Sequence, residues 1–412
     1  MKSAVKSKII LYFGIMLLFI MQNRLQKWYT PFQYIDELFA LCLIPIGFFF
    51  IIIKKEKIMW TKKNLCFLIC TCVFLLCGWG GYLLYHYQPF INAAKDMFVN
   101  MKFFMALASS FLLFKEIDSE KLKRWLWPVL QTITTILFLL CVADLFLGIF
   151  STETRGGMRA VKLFYSAYTI LVGQCVLLSS MYLWFFREKQ KKIILPIVLL
   201  SFVMLSTRRV KAMGAVACIV LVYVFIFYRK KKINKSIMGV AGCFLVGAVA
   251  VSIYQFVNYY YIMGIESARA VLTIGAPFIA ADHFPFGTGW GTYGSTFSTE
   301  PYSPVYGMYR MAGVWGLSPD FHDFVSDTFW PMILGQCGYI GLIAYIGMII
   351  ILMKKILTLK NEKEFLASSM LPMLYLFISS SSESAFANPI AVPFAFWIGL
   401  LFAARKTKEQ LL

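Results

Sequence analysis

The sequence predicts an all-α polytopic membrane protein, and three observations carry that prediction. Of 412 residues, 60% are hydrophobic and 15% charged, with a strongly positive mean hydropathy. A soluble chain of this size cannot hide that much apolar surface. Apolar runs of about 20 residues recur, the length that crosses a hydrocarbon core about 30 Å thick. The runs are continuous rather than alternating, which selects helices over a closed barrel as the way to satisfy the backbone in lipid.

Hydropathy places about 12 spans, near residues 4–21, 38–53, 65–85, 97–114, 125–148, 165–186, 193–206, 212–228, 236–256, 330–353, 365–380 and 389–404. Lys2, Lys6 and Lys8 precede the first run as in a signal peptide, but no small-residue cleavage site follows, so an uncleaved first span is expected. With the N-terminus inside, alternate loops collect 28 of the 40 basic residues, together with eight of the 20 acids on the same loops and flanks. The difference, 28 − 8, equals the whole net charge of +20. That is the positive-inside pattern, and it puts both termini in the cytoplasm. The charge is thereby explained without nucleic acid, which is not expected as a partner. Residues 1–412 read as one membrane domain, with 257–329 an external loop of short helices inserted before the tenth span.

Several chemistries are excluded early. The ten cysteines all fall in predicted spans, so neither a disulfide framework nor a zinc knuckle is expected. Three separated histidines and scattered acids offer no metal-ligand spacing, no Gly-Lys-Ser/Thr nucleotide loop is present, and no cofactor is expected. No internal repeat supports an inverted-repeat transporter.

The candidate residues lie at the outer ends of the spans. Arg208 and Arg209 sit at a hairpin tip only about 14 residues, roughly 21 Å, from its cytoplasmic start, which places them below the surface of a 30 Å core, where charge implies function. Lys211 follows Arg208 at i,i+3 and would share its helix face. Arg155, Arg159 and Lys162 form a second basic cluster at i, i+4, i+7, although Gly156-Gly157 favours a mobile loop over a helix. Arginine there offers a planar fork to an anionic group. Arg269 lies in apolar surroundings, which suits a buried role. Phe286-Gly287-Thr288-Gly289-Trp290-Gly291 reads as a tight turn between external helices. His322 is a natural general base, and the adjacent Asp323 could hold its tautomer. His86 and His283 are weaker candidates, and Lys102 is expected to snorkel outward.

At these residues the chain resembles the O-antigen ligase and polysaccharide polymerase superfamily of bacterial envelope glycosyltransferases. The matching pieces are Ser206-Thr207-Arg208-Arg209, then Arg269 followed by Ile279 to Gly289, then His322-Asp323-Phe324 followed by Gly335-Gln336-Cys337-Gly338-Tyr339-Ile340-Gly341-Leu342. Asp323 stands where Asn is common, and the doubled arginine leaves open which of Arg208 and Arg209 matches. The resemblance implies metal-independent transfer from an oligosaccharide on undecaprenyl pyrophosphate, at the outer face of the bacterial cytoplasmic membrane. Arg208, Arg209 and Arg269 would neutralise the departing pyrophosphate, and His322 would take the acceptor's proton. Arg155, Arg159, Lys162, Lys211, Arg310 and Asp323 would hold carrier or sugar. Membrane lipid, a flippase and a chain-length regulator are the implied partners. Polymerase is the leading expectation. Ligation to lipid A-core is the alternative, and a transporter or flippase of an anionic solute or lipid is the second.

Overall fold

The computed structural model describes residues 2–26, 28–42, 45–46, 61–227, 246, 249–250, 253–254 and 256–411. It is mostly helical, with one two-stranded hairpin. The main elements are α1 (Lys2–Gln26), α2 (Ile35–Leu41), α3 (Lys62–Tyr85), α4 (Phe90–Leu113), α5 (Ser119–Leu147), β1 (Thr154–Arg155), β2 (Met158–Arg159), α6 (Tyr168–Leu183), α7 (Ile194–Ser206), α8 (Val210–Val222), α9 (Ala268–Asp282), α10 (Trp330–Leu357), α11 (Lys363–Ser379) and α12 (Ala391–Leu411).

Five helical stretches are long and apolar enough to cross a membrane: Lys62–Tyr85, Phe90–Leu113, Ser119–Leu147, Val210–Phe227 and Trp330–Asn361. Four shorter apolar helices, Ser7–Gln22, Tyr168–Leu183, Ile194–Ser206 and Ala391–Arg405, fall on other expected spans. Most of the spans expected at 38–53 and 236–256 lies outside the described residues. This is the build of an all-α membrane protein. α12 packs along α4, α3 along α10, α6 along α11 and α7, and α8 against α11.

The bundle has two chemically distinct ends. At one end lysines and arginines meet carboxylates and carbonyls: Lys123 with Glu188 at 2.5 Å, Arg405 with Glu362 at 2.6 Å, and Lys8 on the Lys115 carbonyl. At the other end, the loop end, lie the hairpin, the α7–α8 tip, the α11–α12 connection and the long segment 257–329. Ser384 donates from its backbone to the Ser326 carbonyl at 3.1 Å, and Gln88 donates to the Pro301 carbonyl at 2.8 Å. The long segment has an apolar core of its own, in which Leu272, Ile279, Tyr293, Val305, Tyr306 and Leu317 are fully buried. That core orders a segment far too aromatic to be a linker.

The glycine-rich turn is not an external connection, as the sequence suggested, but a wedge driven between α3 and α10. Thr288 and Gly289 donate backbone hydrogen bonds to the Gly335 and Gln336 carbonyls at 3.0 and 2.9 Å, and Gly338 breaks the regularity of α10 with φ 65°. Trp290 is fully buried, edge-on to Phe74 with ring centroids 5.0 Å apart. Gly338 is eight residues into α10, so the wedge reaches about 12 Å below the helix start. Irregular backbone at such depth is tolerated only when protein satisfies it. Asp96 completes that satisfaction, accepting from the Gly291 amide at 2.9 Å and from the Ser295 hydroxyl.

The wedge fits because its glycines have no side chains. A Cβ on Gly289 would lie 2.5 Å from the Tyr82 amide nitrogen, and one on Gly287 would lie 2.5 Å from that of Gly338. Backbone cannot yield as a side chain tip can, and both glycines also have positive φ. Gly289→Ala should therefore abolish recovery of folded protein, read as the monodisperse peak in fluorescence-detected size-exclusion chromatography. Gly307→Ala, with nothing within 4 Å of its Cβ, should leave that peak unchanged.

Candidate functional site

The loop end gathers six of the basic residues singled out in the sequence and supplies acids to hold them. α7 ends at Ser206, and Thr207 to Arg209 turn the chain into α8. Arg208 takes a left-handed conformation, φ 56°, and is exposed, its guanidinium 2.8 Å from the Met158 sulfur. Arg209 is extended and forms the N-cap of α8. Arg208 and Lys211 therefore do not share a helix face, because the residue expected to start the helix lies outside it. Arg209 is the arginine drawn inward.

Two linked groups form around the first turn of α8. In the first, Arg209 stacks over the Tyr168 ring at 4.1 Å and reaches Glu153 at 3.4 Å. Tyr168 donates its hydroxyl to the same Glu153 oxygen at 2.7 Å, Arg155 pairs with the other oxygen at 2.6 Å, and the Lys162 ammonium lies 5.9 Å from the Tyr168 ring. In the second, Lys211 pairs with Glu383 at 3.1 Å, and Arg269 pairs with Asp327 at 2.8 Å while stacking on Tyr259. Lys211 feels the charges of both Arg269 and Asp327, which joins α8, α9 and the segments before α10 and α12 in one site.

The count of charges favours an anion. Arg155, Arg209, Lys211 and Arg269 pair with Glu153, Asp327 and Glu383, and with Lys162 at Tyr168 and Arg208 at Met158 the six cations and three acids give 6 − 3 = +3. The Nε–H of both Arg209 and Arg269 is buried with no acceptor among the described residues. The carboxylates are perturbed in opposite directions. The Tyr168 hydroxyl first, and Arg155 second, hold Glu153 below its ordinary 4.5. Burial pushes Asp327 up, against the pull of Arg269. The lowered Glu153 pKa makes its latch fully effective above about pH 4.5, and the contribution fades as pH falls through the lowered value.

His322 stands five residues before Asp327 in a chain of tight turns. Its Nδ1 lies 3.0 Å from the Pro319 carbonyl. A carbonyl only accepts, so Nδ1 carries a proton, and in the neutral ring Nε2 is then the nitrogen with the lone pair. Pro319, not Asp323, thus holds the tautomer, and Asp323 is exposed. The other expected residues fall elsewhere. Arg159 donates to the Asp144 and Leu145 carbonyls at 3.0 and 3.1 Å, capping the C-terminus of α5. It belongs to a β-hairpin with Arg155, so the helical spacing of 155, 159 and 162 has no counterpart. Arg310 is exposed at φ 56° and is not brought to the cluster. His283 is buried, with Nδ1 on the Ile279 carbonyl and Nε2 on the Tyr87 hydroxyl, so both nitrogens are engaged.

Lys102 does not snorkel. It lies in the middle of α4, 1% exposed, and pairs with Asp36 at 2.6 Å and Glu37 at 3.0 Å. The acids Glu153, Asp327 and Glu383 were missed as partners. The signal was present in the balance of 12 acids against 12 bases away from the loops expected on the inner side, which implied pairing.

The fold and the loop-end charges together define an all-α protein of membrane type with a polar, cationic site at one end of the bundle. No protein-family model matches the chain, and no curated protein matches it.

The two kinds of ion pair should differ in what they contribute to stability. Glu153→Gln breaks half-exposed pairs and should change unfolding free energy by less than about 1 kcal/mol. Lys102→Met strands the buried Asp36 carboxylate and the half-buried Glu37 beside it, and should cost about 3–5 kcal/mol. Thermal unfolding of purified protein in detergent compares them.

Proposed function

We propose that the protein is a glycosyltransferase of the bacterial cytoplasmic membrane that polymerises lipid-linked oligosaccharide repeats, using an undecaprenyl-pyrophosphate donor at the outer face. The observation that carries this reading is the convergence of Arg209, Lys211 and Arg269 at one end of the bundle, where Asp327, the partner of Arg269, follows His322 by five residues in the chain. The sequence resemblance to the O-antigen ligase and polysaccharide polymerase superfamily supplies the substrate class. The loop end then faces outward and the lysine-rich end faces the cytoplasm, with about twelve spans.

In the reaction, an acceptor hydroxyl loses its proton to His322 Nε2, and its oxygen forms a new bond to the donor's anomeric carbon. The bond from that carbon to the pyrophosphate oxygen breaks, and its electron pair leaves with the lipid pyrophosphate. The developing negative charge meets the unmet guanidinium donors of Arg209 and Arg269, the kind of preorganised stabilisation that usually dominates such steps. The acids serve the resting state, holding these cations in place until the pyrophosphate competes for them. Asp323 has no direct part in the proton transfer, because Pro319 fixes the imidazole.

The test is complementation of a deletion strain, read by gel electrophoresis of surface polysaccharide at matched protein level. His322→Ala should eliminate polymer beyond single repeat units, while Asp323→Ala should retain it. Polymer of wild-type length and amount from His322→Ala would refute the base assignment.

A further inference from the structure

A second polar feature lies beside the cationic site and has no part in the proton transfer. It is a cavity of about 330 Å³ at the loop end, lined by Gln22, Gln26, Gln33, Tyr34, Glu37 and Ser166. Its volume falls within the range of about 300–1,000 Å³ typical of small-molecule sites. Ser166 and Ile170 both line it, and Tyr168 between them carries Arg209. The cavity and the cationic cluster therefore flank the same start of α6.

Its chemistry differs from that of its neighbour. Gln22 spends its amide group on the Gln33 carbonyl and on Asp36, at 2.8 and 2.7 Å, and Gln26 donates to Gln33 Oε1 at 3.3 Å. Among the described residues, nothing in the protein engages the Gln22 and Gln26 side-chain oxygens, the Gln33 amide group or the Tyr34 hydroxyl, and Glu37 Oε2 is buried without a partner. Of the ion-paired Lys102, Asp36 and Glu37, only Glu37 lines the cavity, and it brings one carboxylate of formal charge −1. That charge disfavours an anion, and the cavity offers both acceptors and donors. Tyr34, which lines it, and Tyr29, five residues earlier in the chain, are exposed, 54% and 63%, as flat apolar surfaces.

We infer that this cavity is a saccharide subsite, holding a neutral sugar ring of the glycan whose reacting end lies at the Arg209–Glu153–Tyr168 cluster. Hydroxyls, each both donor and acceptor, match a lining of carboxamides, a phenol and a carboxylate, and the tyrosines offer faces to the C–H side of a ring. The inference rests on the glycosyltransferase reading for its placement in a reaction, but the binding itself can be measured apart from it.

The experiment is saturation-transfer NMR on the full-length protein in detergent micelles, with a panel of methyl hexosides and methyl N-acetylhexosaminides as probes. At least one should bind saturably, and Gln26→Leu and Tyr34→Phe should each weaken it at least fivefold without lowering thermal stability. Tyr34→Phe removes one exposed oxygen and keeps the test open if Gln26→Leu fails to fold. His322→Ala should bind the same sugar as wild type does. No saturable glycoside, or saturable tetramethylammonium in its place, overturns the subsite even if His322→Ala abolishes polymer. Bound glycoside together with undiminished polymer from His322→Ala would leave the subsite standing and remove the transferase reading.

Discussion

The wedge of Phe286 to Gly291 between α3 and α10 is the constraint on which the loop end depends. A strand of backbone inside a helical bundle must have every amide answered, and here α10 answers with its own carbonyls because Gly338 opens its regular pattern. Asp96 answers from α4. Three helices are thereby fastened to one short turn. The long segment between residues 257 and 329 leaves from this fixed point, so Arg269 on one side and Asp327 on the other are brought together. A floppy external loop with the same residues would not hold a guanidinium at a defined place.

The second theme is that positive charge at the loop end is held, not free. Glu153 serves Arg155, Arg209 and Tyr168 at once, while Glu383 and Asp327 serve Lys211 and Arg269. The Glu153 pairs are half-exposed, so their contribution to folding is small. The value of the pairing lies in orientation: Arg209, Lys211 and Arg269 are each held by an acid, and the excess of +3 comes from Arg155, Lys162 and Arg208 around them. The triad of buried Lys102 and Asp36 with half-buried Glu37 is a different object. It lies at the middle of α4, where an isolated charge is costly and where intramembrane ionisable groups default to function.

Much of the helical plan was legible in the sequence, because hydropathy over about 20 residues is a local property. Of the basic residues expected on the inner loops, Lys123 pairs with Glu188, Lys363 reaches the Phe227 carbonyl and Arg405 pairs with Glu362. What sequence could not give was which charges meet. Arg159 matched the spacing of a phosphate landing site, yet it caps α5, because the chain doubles back at Gly156-Gly157 and returns it to Gly148. Lys102 matched a snorkelling lysine until Asp36, sixty-six residues away, was placed against it. For His322 the sequence pointed to Asp323 as the group that orients the ring, whereas the Pro319 carbonyl takes that place. Pairings of this kind depend on distant segments and leave no mark in local spacing.

The central claim is that His322 and the loop-end arginines move a glycan off a polyprenyl pyrophosphate. Its most direct measurement is release of the lipid pyrophosphate by purified protein in proteoliposomes supplied with a lipid-linked oligosaccharide repeat, with chelator present. Release coupled to chain growth, reduced at least about a hundredfold by His322→Ala as expected for loss of a general base, would bear the claim out. Release unchanged by that substitution, or no turnover by the wild-type protein with such a donor, would contradict it.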